Sequence, residues 1–283
     1  MKHGMFPGTT RALAGLWAAG FLLGFAAPAA GQSKDVVFAT TTSVQDTGLL
    51  DSLVPRFERL TGYRVKPIAV GTGQALALAG RGEADVVLAH APDLEARYVK
   101  DGVLIDRRLV MVNDFVLLGP PSDPAGVAGM TDPAEAMRTI AQSGAVFVSR
   151  GDSSGTNLRE RSLWEHAVDR PAPESYIEVG QGMAATLRVA SEKGGYTLSD
   201  RGTYLALRTS LALRIVSQGA PELKNFYSVS RVNPAFFPNV NAAGAQAFAA
   251  YLLDPATQAI IGAFGVERFG QPLFTPAAGD ADR

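Results

Sequence analysis

Four times along this chain, a short apolar strand leads through a loop rich in glycine or hydroxyl groups into a helix. The four loops are residues 40–43, 71–74, 149–156 and 180–183. Strands that alternate with helices favour an α/β fold with mixed, mostly parallel sheets, because parallel strands are joined by crossover helices. Ligands of such sheets bind outside the carboxyl ends of the strands. The pattern therefore predicts that the loops meet around one ligand.

The third loop, residues 149–156, indicates what kind of ligand this is. It follows an apolar run, residues 145–148, and precedes a helix that carries Leu158, Leu163 and Trp164 on one face. Backbone N–H groups and the positive end of a helix dipole converge at such a junction, and both favour an anion. Arg150 adds a guanidinium with a planar fork of donors. We therefore expect an anion to bind here.

Two other interpretations of this loop remain open. Residues 151–155 match the Gly-x-Ser-x-Gly turn of serine hydrolases, with Ser153 as the nucleophile. Such an enzyme needs a histidine well downstream, whereas the chain has only His3, His90 and His166, the last on the helix directly after the loop. The loop could also be an ordinary helix cap without a ligand. We expect a binding protein without enzymatic activity.

The first two loops add further hydrogen-bond donors. Residues 40–43 are three threonines and a serine, which exceeds what one helix cap requires. Thr72 lies between two glycines, in a turn that lacks the third glycine of a dinucleotide-binding motif. His90 has no other histidine or acidic cluster near it in the sequence, so we expect it to border a strand end rather than bind a metal.

The N-terminus predicts export from the cytoplasm. Residues 1–31 combine Lys2 and Arg11 with an apolar segment and a run of small residues, as in a signal peptide. The chain has 26 basic and 27 acidic residues; removal of Lys2 and Arg11 leaves 24 basic residues, so the net charge falls from −1 to −3. This charge gives no support for nucleic-acid binding. The absence of cysteine excludes a disulfide framework, a thiolate metal site and the acylated cysteine of a lipoprotein.

Taken in order, these segments resemble the periplasmic tungstate-binding proteins of tungstate ABC importers. The resemblance covers nearly all of the mature chain, through residues 40–43, 71–74, 113–115, 149–156, 180–183, 196–204, 232–234 and 269–274. Asn157 departs from the family pattern, in which many members would have histidine. We expect a tetrahedral site not to depend on this position.

The resemblance implies a two-lobed fold of the type II periplasmic-binding-protein class, with a hinge of two crossing strands. Lobe I would comprise residues 33–115 and 233–283, lobe II residues 116–232, and the ligand would lie between them. The implied ligand-binding residues are Thr41, Thr42, Ser43, Thr72, Gly73, Arg150, Ser154, Gly155, Thr156, Gly182 and Met183.

The implied function is capture of tungstate, or of molybdate, by a periplasmic monomer that delivers it to an ABC permease. No cofactor, metal ion or nucleic acid is implied. Both anions are fully ionised near neutral pH, so their ideal site offers only donors. Phosphate is the alternative ligand, because it keeps a proton that a carboxylate such as Asp152 could accept. We expect Asp152 instead to cap the helix or to orient Arg150.

Overall fold

The computed structural model describes residue 1, residues 33–167 and residues 170–280 of the chain. The predicted signal segment, apart from Met1, lies outside the described residues. The strands are β1 Asp35–Thr41, β2 Arg64–Val70, β3 Val86–Ala89, β4 Leu104–Gly119, β5 Phe147–Ser149, β6 Tyr176–Glu178, β7 Thr197–Asp200, β8 Arg214–Ser217, β9 Lys224–Val232 and β10 Thr275–Pro276. The helices are α1 Thr42–Asp46, α2 Leu49–Thr61, α3 Thr72–Gly80, α4 Pro92–Lys100, α5 Pro133–Ser143, α6 Gly155–Ala167, α7 Met183–Lys193, α8 Arg201–Leu207, α9 Ala242–Leu253, α10 Pro255–Ala263 and α11 Val266–Phe269. These elements confirm the predicted α/β class.

The first sheet has the strand order β10-β4-β9-β3-β1-β2. Strands β2, β1 and β3 are parallel to one another, and β9 and β10 pair antiparallel with their neighbours. The carboxyl ends of β1, β2 and β3 therefore lie at one edge of the sheet. Helices α1, α3 and α4 start at that edge, which places the first two predicted loops side by side.

Strand β4 continues into a second sheet. Its first part pairs with β9 as far as Asp114, and its last residues pair with β7 and β8. Strands β5 and β6 are parallel, and Phe147 of β5 forms a parallel bridge to Tyr196, just before β7. The carboxyl ends of β5, β6 and β7 thus share an edge, at which α6, α7 and α8 begin.

Strand β9 bears on the predicted lobe boundaries. It pairs with β3 over Ser228–Arg231 and with β4 over its whole length, so it belongs to the first sheet. The predicted lobe II, residues 116–232, included this strand. We propose instead that the chain returns to lobe I near Lys224, after a short 3₁₀ turn at Pro221–Leu223.

Local sequence explains most helix boundaries. Asp132 accepts hydrogen bonds from the N–H groups of Ala134 and Glu135, and Pro133 occupies the first position of α5, where its missing N–H costs nothing. Gly48 adopts φ +83°, a left-handed conformation that interrupts the helix and separates α1 from α2.

The two sheets are each covered by packed apolar side chains. In lobe I, Phe248 of α9 packs edge-on against Phe38 of β1 and Phe57 of α2, with ring centroids 4.8 and 4.9 Å apart. In lobe II, Phe147 packs edge-on against Trp164 at 5.0 Å. Such pairs add to the stabilisation from buried apolar area. Rigid layers of this kind fix the strand ends from which the loops project.

Among the described residues, no single helix has the length and apolar character needed to cross a membrane. Two consecutive helical segments, Ala242–Leu253 and Pro255–Phe269, are together long and apolar enough for a membrane span by length and composition alone. They are bent by 58° relative to each other.

Candidate functional site

Three of the four predicted loops meet between the lobes, and the contacts run across the cleft. Arg150 of lobe II donates from Nη2 to Thr42 Oγ1 of lobe I at 3.1 Å. A Cβ placed on Gly73 would lie 3.7 Å from the carbonyl oxygen of Ser153. The hydroxyl loops of lobe I and residues 150–156, which we call the anion loop, therefore line one site.

Arg150 is held rigidly at this site. Its side chain is only 3% exposed, and Nε donates to Asp152 Oδ2 at 2.7 Å. Asp152 Oδ1 accepts from the N–H of Ser154 at 3.1 Å. Both carboxylate oxygens of Asp152 are therefore occupied within the loop. The prediction that Asp152 orients Arg150 is confirmed.

Hydroxyl groups from both lobes complete the lining. Thr41 Oγ1 and Ser43 Oγ lie 3.0 Å apart and share one hydrogen bond. Thr72 Oγ1 and Thr156 Oγ1 are both buried, and neither has a hydrogen-bond partner among the described residues. A buried hydroxyl without a partner loses its bonds to water without replacement, which costs about 1–3 kcal/mol. These two groups thus have unused hydrogen-bonding capacity on opposite sides of the cleft.

The start of α6 also leaves backbone donors free. The first N–H groups of a helix have no intrahelical acceptor. Here Asn157 Oδ1 accepts from Ser153 N at 3.2 Å, and Ser154 Oγ accepts from Asn157 N at 3.3 Å. No hydrogen bond in the described chain engages the N–H of Gly155 or Thr156. These two groups are the donors that α6 can offer an anion.

The fourth loop is placed differently. Gly182 caps α7, and Met183 is its first residue. The Met183 side chain is completely buried in the apolar core, so only its backbone faces a possible ligand. No hydrogen bond of the described residues joins Gly182 or Met183 to the other loops, although the neighbouring Gly180 N–H donates to the Arg150 carbonyl at 2.9 Å. The geometry thus ties this loop to the backbone of the anion loop.

His90 forms a second contact between the lobes. A Cβ on Gly155 would come within 2.3 Å of the imidazole Cε1, so only glycine fits there. The ring stacks on Tyr227, with centroids 4.8 Å apart, and Nδ1 lies 2.9 Å from Asn225 Oδ1. Because Asn225 Nδ2 donates to Asn113 and Tyr227, its Oδ1 must accept from His90 Nδ1. Burial lowers the pKa of His90 to about 4, with further lowering by Arg150 and Arg159, so the ring is neutral near pH 7.

A buried carboxylate lies close to the site and was missed by the sequence reasoning. Asp200 ends β7 and caps α8, where Oδ1 accepts from Thr203 N at 2.8 Å. Oδ2 has no hydrogen-bond partner in the described chain. Burial raises the pKa of Asp200; bonds from Thr203 and the charge of Arg150 oppose this, and the charge of Asp46 adds to it. Its position directly before a helix identifies Asp200 as a helix cap from the sequence, but its place at the cleft edge depends on the packing of β7.

Other buried polar groups without partners lie along the crossing strands. They are Asn113 Nδ2 on β4 and Ser228 Oγ on β9. The resemblance to the family implies a hinge of two crossing strands, but the sequence gives no reason to assign polar side chains of those strands to the site.

Neither a serine-hydrolase site nor a metal site is present among the described residues. His90 bonds Asn225 and His166 bonds the Ser162 carbonyl, so no histidine hydrogen-bonds Ser153 there. Ser153 has the left-handed backbone conformation, φ +57°, of a sharp turn. Its backbone N–H, however, donates to Asn157 Oδ1. No group of three or more potential metal ligands occurs in the described part of the chain.

Comparison with known proteins places this fold and site in a family. The model of the PBP superfamily domain matches residues 26–256. A tungstate-binding protein TupA from Peptoclostridium acidaminophilum is 43% identical, over 86% of this chain and 86% of its own. A solved structure described as the tungstate ABC transporter from Geobacter sulfurreducens is 45% identical, with a TM-score of 0.74, over 80% of this chain and 97% of its own. The tungstate-binding protein TupA from Desulfovibrio alaskensis G20 is 46% identical, with a TM-score of 0.74, over 86% and 99%.

The fold therefore defines a two-lobed protein of the periplasmic-binding-protein class, as predicted. The chain belongs to the PBP superfamily and, within it, to the family of these tungstate-binding proteins. The resemblance inferred from the loop segments is thereby confirmed.

Proposed function

We propose that this chain is an exported solute-binding protein that captures tungstate, and also molybdate, between its lobes. It has no enzymatic activity, acts as a monomer and delivers the anion to an ABC permease. The proposed ligand-binding residues are Thr41, Thr42, Ser43, Thr72, Gly73, Arg150, Ser154, Gly155, Thr156, Gly182 and Met183.

One observation carries this proposal: the buried, unpartnered hydroxyls of Thr72 and Thr156 lie on opposite lobes. An oxyanion between them would accept from both hydroxyls, from the free N–H groups of Gly155 and Thr156, and from Arg150. Charge-assisted hydrogen bonds of this kind are stronger than neutral ones. The same ligand would join the two lobes, which couples binding to closure.

The choice between anions follows from which groups can accept a proton. Both oxygens of Asp152 already accept hydrogen bonds within the anion loop, so this carboxylate is directed at Arg150 and the Ser154 N–H rather than at a ligand. A protonated oxyanion would then direct its O–H at another donor, which disfavours it. Among the described residues, Asp200 Oδ2 is the buried carboxylate oxygen that has no hydrogen-bond partner, and it is the feature that favours phosphate as the alternative ligand.

Export and the permease partner rest on the N-terminal segment and on the relatives. Residues 1–31 have the composition of a signal peptide, and the structure of the Geobacter sulfurreducens relative is described as a tungstate ABC transporter. Cleavage would release a chain without an acylated cysteine, and we propose that it is free in the periplasm.

Isothermal titration calorimetry on the mature, ligand-free protein tests the proposal. Tungstate, molybdate, sulfate and phosphate are titrated separately, and each is then used to displace tungstate. We expect tungstate to bind at least as tightly as molybdate, followed by sulfate and then phosphate, because sulfate is too small to reach both lobes. Phosphate that displaces tungstate at equal concentration would contradict the proposal.

A further inference from the structure

A chain of three buried polar side chains connects the anion loop to the interior of lobe II. Asn157 Nδ2 donates to Ser149 Oγ at 3.2 Å, and Ser149 Oγ donates to Glu160 Oε2 at 2.8 Å. We call Asn157, Ser149 and Glu160 the relay. All three are at least 95% buried. Its outer end is the bond from Ser153 N to Asn157 Oδ1.

The bond from the Ser153 N–H to Asn157 Oδ1 determines which group donates and which accepts in every bond of the relay. A backbone N–H can only donate, so the oxygen of the Asn157 amide must face Ser153. The Asn157 NH₂ group then faces Ser149, whose oxygen accepts and whose proton is left for Glu160. Glu160 Oε2 must accept that proton.

The inner end of the relay is suited to this direction. Glu160 Oε1 accepts from Tyr176 Oη at 2.6 Å and from Trp164 Nε1 at 3.2 Å. Burial raises the pKa of Glu160 above its ordinary value, and hydrogen bonds from Tyr176, Ser149, Trp164 and Asn157 offset only part of this rise. With donors on both oxygens, the site is built for an ionised carboxylate that only accepts.

The relay determines which N–H groups of the anion loop remain free. Ser153 has φ +57°, a conformation that non-glycine residues rarely adopt, and its N–H is consumed by Asn157. The Ser154 N–H is consumed by Asp152. The N–H groups of Gly155 and Thr156 therefore have no acceptor within the loop. Their orientation at the start of α6 is set by the turn before them, which the relay holds in this shape.

We infer that Glu160 is a positioning residue for oxyanion binding, which acts through Ser149 and Asn157 to hold the anion loop with its free N–H groups toward the ligand. This inference rests on the proposed function for its ligand. It reverses the expectation that the site does not depend on position 157.

Glu160→Gln is the sharpest test, because it keeps the shape and reverses the polarity. The Gln oxygen can still accept from Tyr176 and Trp164, so its NH₂ group faces Ser149. Ser149 then accepts from residue 160 and its own proton loses its acceptor, and within the relay that proton regains one only if the Asn157 amide turns its oxygen inward. The Asn157 NH₂ group would face the Ser153 N–H, and two donors would oppose each other.

The test measures the tungstate affinity of Glu160→Gln, Asn157→Ala and the double variant by titration calorimetry. A mildly alkaline pH is used so that Glu160 is ionised in the parent protein. We expect each single variant to bind roughly tenfold more weakly, as for one lost hydrogen bond. The double variant should bind no more weakly than Asn157→Ala alone, because Glu160 acts through Asn157.

Tyr176→Phe is the matched control: it removes a bond to Glu160 Oε1, the carboxylate oxygen that does not accept from Ser149. This variant should have a lower melting temperature than the parent but a tungstate affinity within about threefold of it.

A second readout needs no ligand. Hydrogen exchange of the Ser153 amide, followed by NMR, should accelerate in Glu160→Gln and Asn157→Ala and stay unchanged in Tyr176→Phe. Losses of affinity that add in the double variant, or an unchanged Ser153 amide in Glu160→Gln, would overturn the inference. If the parent protein failed to bind tungstate, the proposed function would fall, and the Ser153 amide would still decide whether the relay holds the loop.

Discussion

The two lobes present the cleft with loops of different construction. In lobe I the turn before α3 is simple: Gly71 caps the helix without a side-chain bond, and the Thr72 hydroxyl is free. In lobe II the anion loop is bonded throughout, with Arg150 held by Asp152 and Ser153 held by Asn157. Lobe I thus offers neutral donors on a regular helix start, whereas lobe II offers a fixed charge on a loop shaped by buried side chains.

This difference indicates a division of roles. A guanidinium held in place by a carboxylate provides most of the attraction to a dianion, and preorganisation reduces the cost of binding. Neutral hydroxyls add less energy each, but they discriminate between anions by protonation and size. Under the proposed function, closure would bring the discriminating loops onto an anion already attracted by the charged one.

The charged loop should show the largest effect. We expect Arg150→Ala to weaken tungstate binding by on the order of 2–4 kcal/mol, or about 30- to 1,000-fold, because a desolvated contact to a dianion is lost. Titration calorimetry measures the change. Arg150→Lys should recover only part of it, since an ammonium cannot reproduce the planar fork. An Arg150→Ala variant within threefold of the parent would show that charge does not dominate lobe II.

The contact between the lobes predicts a dependence of stability on pH. The pKa of His90 is about 4 in the folded protein, against 6.5 as its ordinary value. As the pH falls through this window, the unfolded chain takes up the proton first, so the folded state loses at most about 3 kcal/mol. Urea unfolding at neutral pH and near pH 4 measures this loss. The His90→Gln variant should lose clearly less over the same range, and an identical loss in both proteins would contradict the assignment.

The close approach of Gly155 to His90 predicts a specific steric effect. In Gly155→Ala the new methyl group would overlap the imidazole, which is held by Asn225 and Tyr227 and cannot retreat. We expect incomplete closure and at least about tenfold weaker tungstate binding, since contacts from both lobes are affected. Gly71→Ala is the matched control in lobe I, because Gly71 has open space and φ −63°. If Gly71→Ala weakened tungstate binding as much as Gly155→Ala, the steric contact between Gly155 and His90 would not account for the loss.

The neutral hydroxyls should show the smallest effects. We expect Thr72→Val and Thr156→Val each to weaken tungstate binding by roughly 1 kcal/mol, or about fivefold. The unliganded proteins should be at least as stable as the parent, because neither hydroxyl has a partner to lose and each is an unsatisfied buried group. Thr257→Val, which replaces a buried hydroxyl on α10, controls for the substitution itself. If Thr72→Val or Thr156→Val lost as much tungstate affinity as Arg150→Ala, the division of roles between the lobes would be contradicted.

The sequence predicted the parts of the site that depend on local pattern. Strand, loop and helix succeed one another within about twenty residues, and the hydroxyls, glycines and Arg150 that make a helix start suitable for an anion are neighbours in the chain. The orientation of Arg150 by Asp152 was predictable for the same reason, since the two lie two residues apart.

The parts that escaped prediction depend on contacts between distant segments. His90 and Gly155 are far apart in sequence, and nothing in either segment indicates that a methyl group on one would strike the other. Asp200 reads as a simple helix cap until β7 is placed beside the other strand ends at the cleft. Asn157 looked dispensable because its bonds to Ser153 and Ser149 depend on the turn of the anion loop. Tertiary geometry decides all three.

A tungstate-bound crystal structure, measured at a tungsten absorption edge, tests the central claim most directly. The anomalous difference map locates the metal without reference to any model of the ligand. We expect one tungsten peak between the lobes, with Thr72 Oγ1, Thr156 Oγ1, Arg150 and the N–H groups of Gly155 and Thr156 all within hydrogen-bond reach of its oxygens. A peak that contacts one lobe alone, or that lies away from Arg150, would contradict the account.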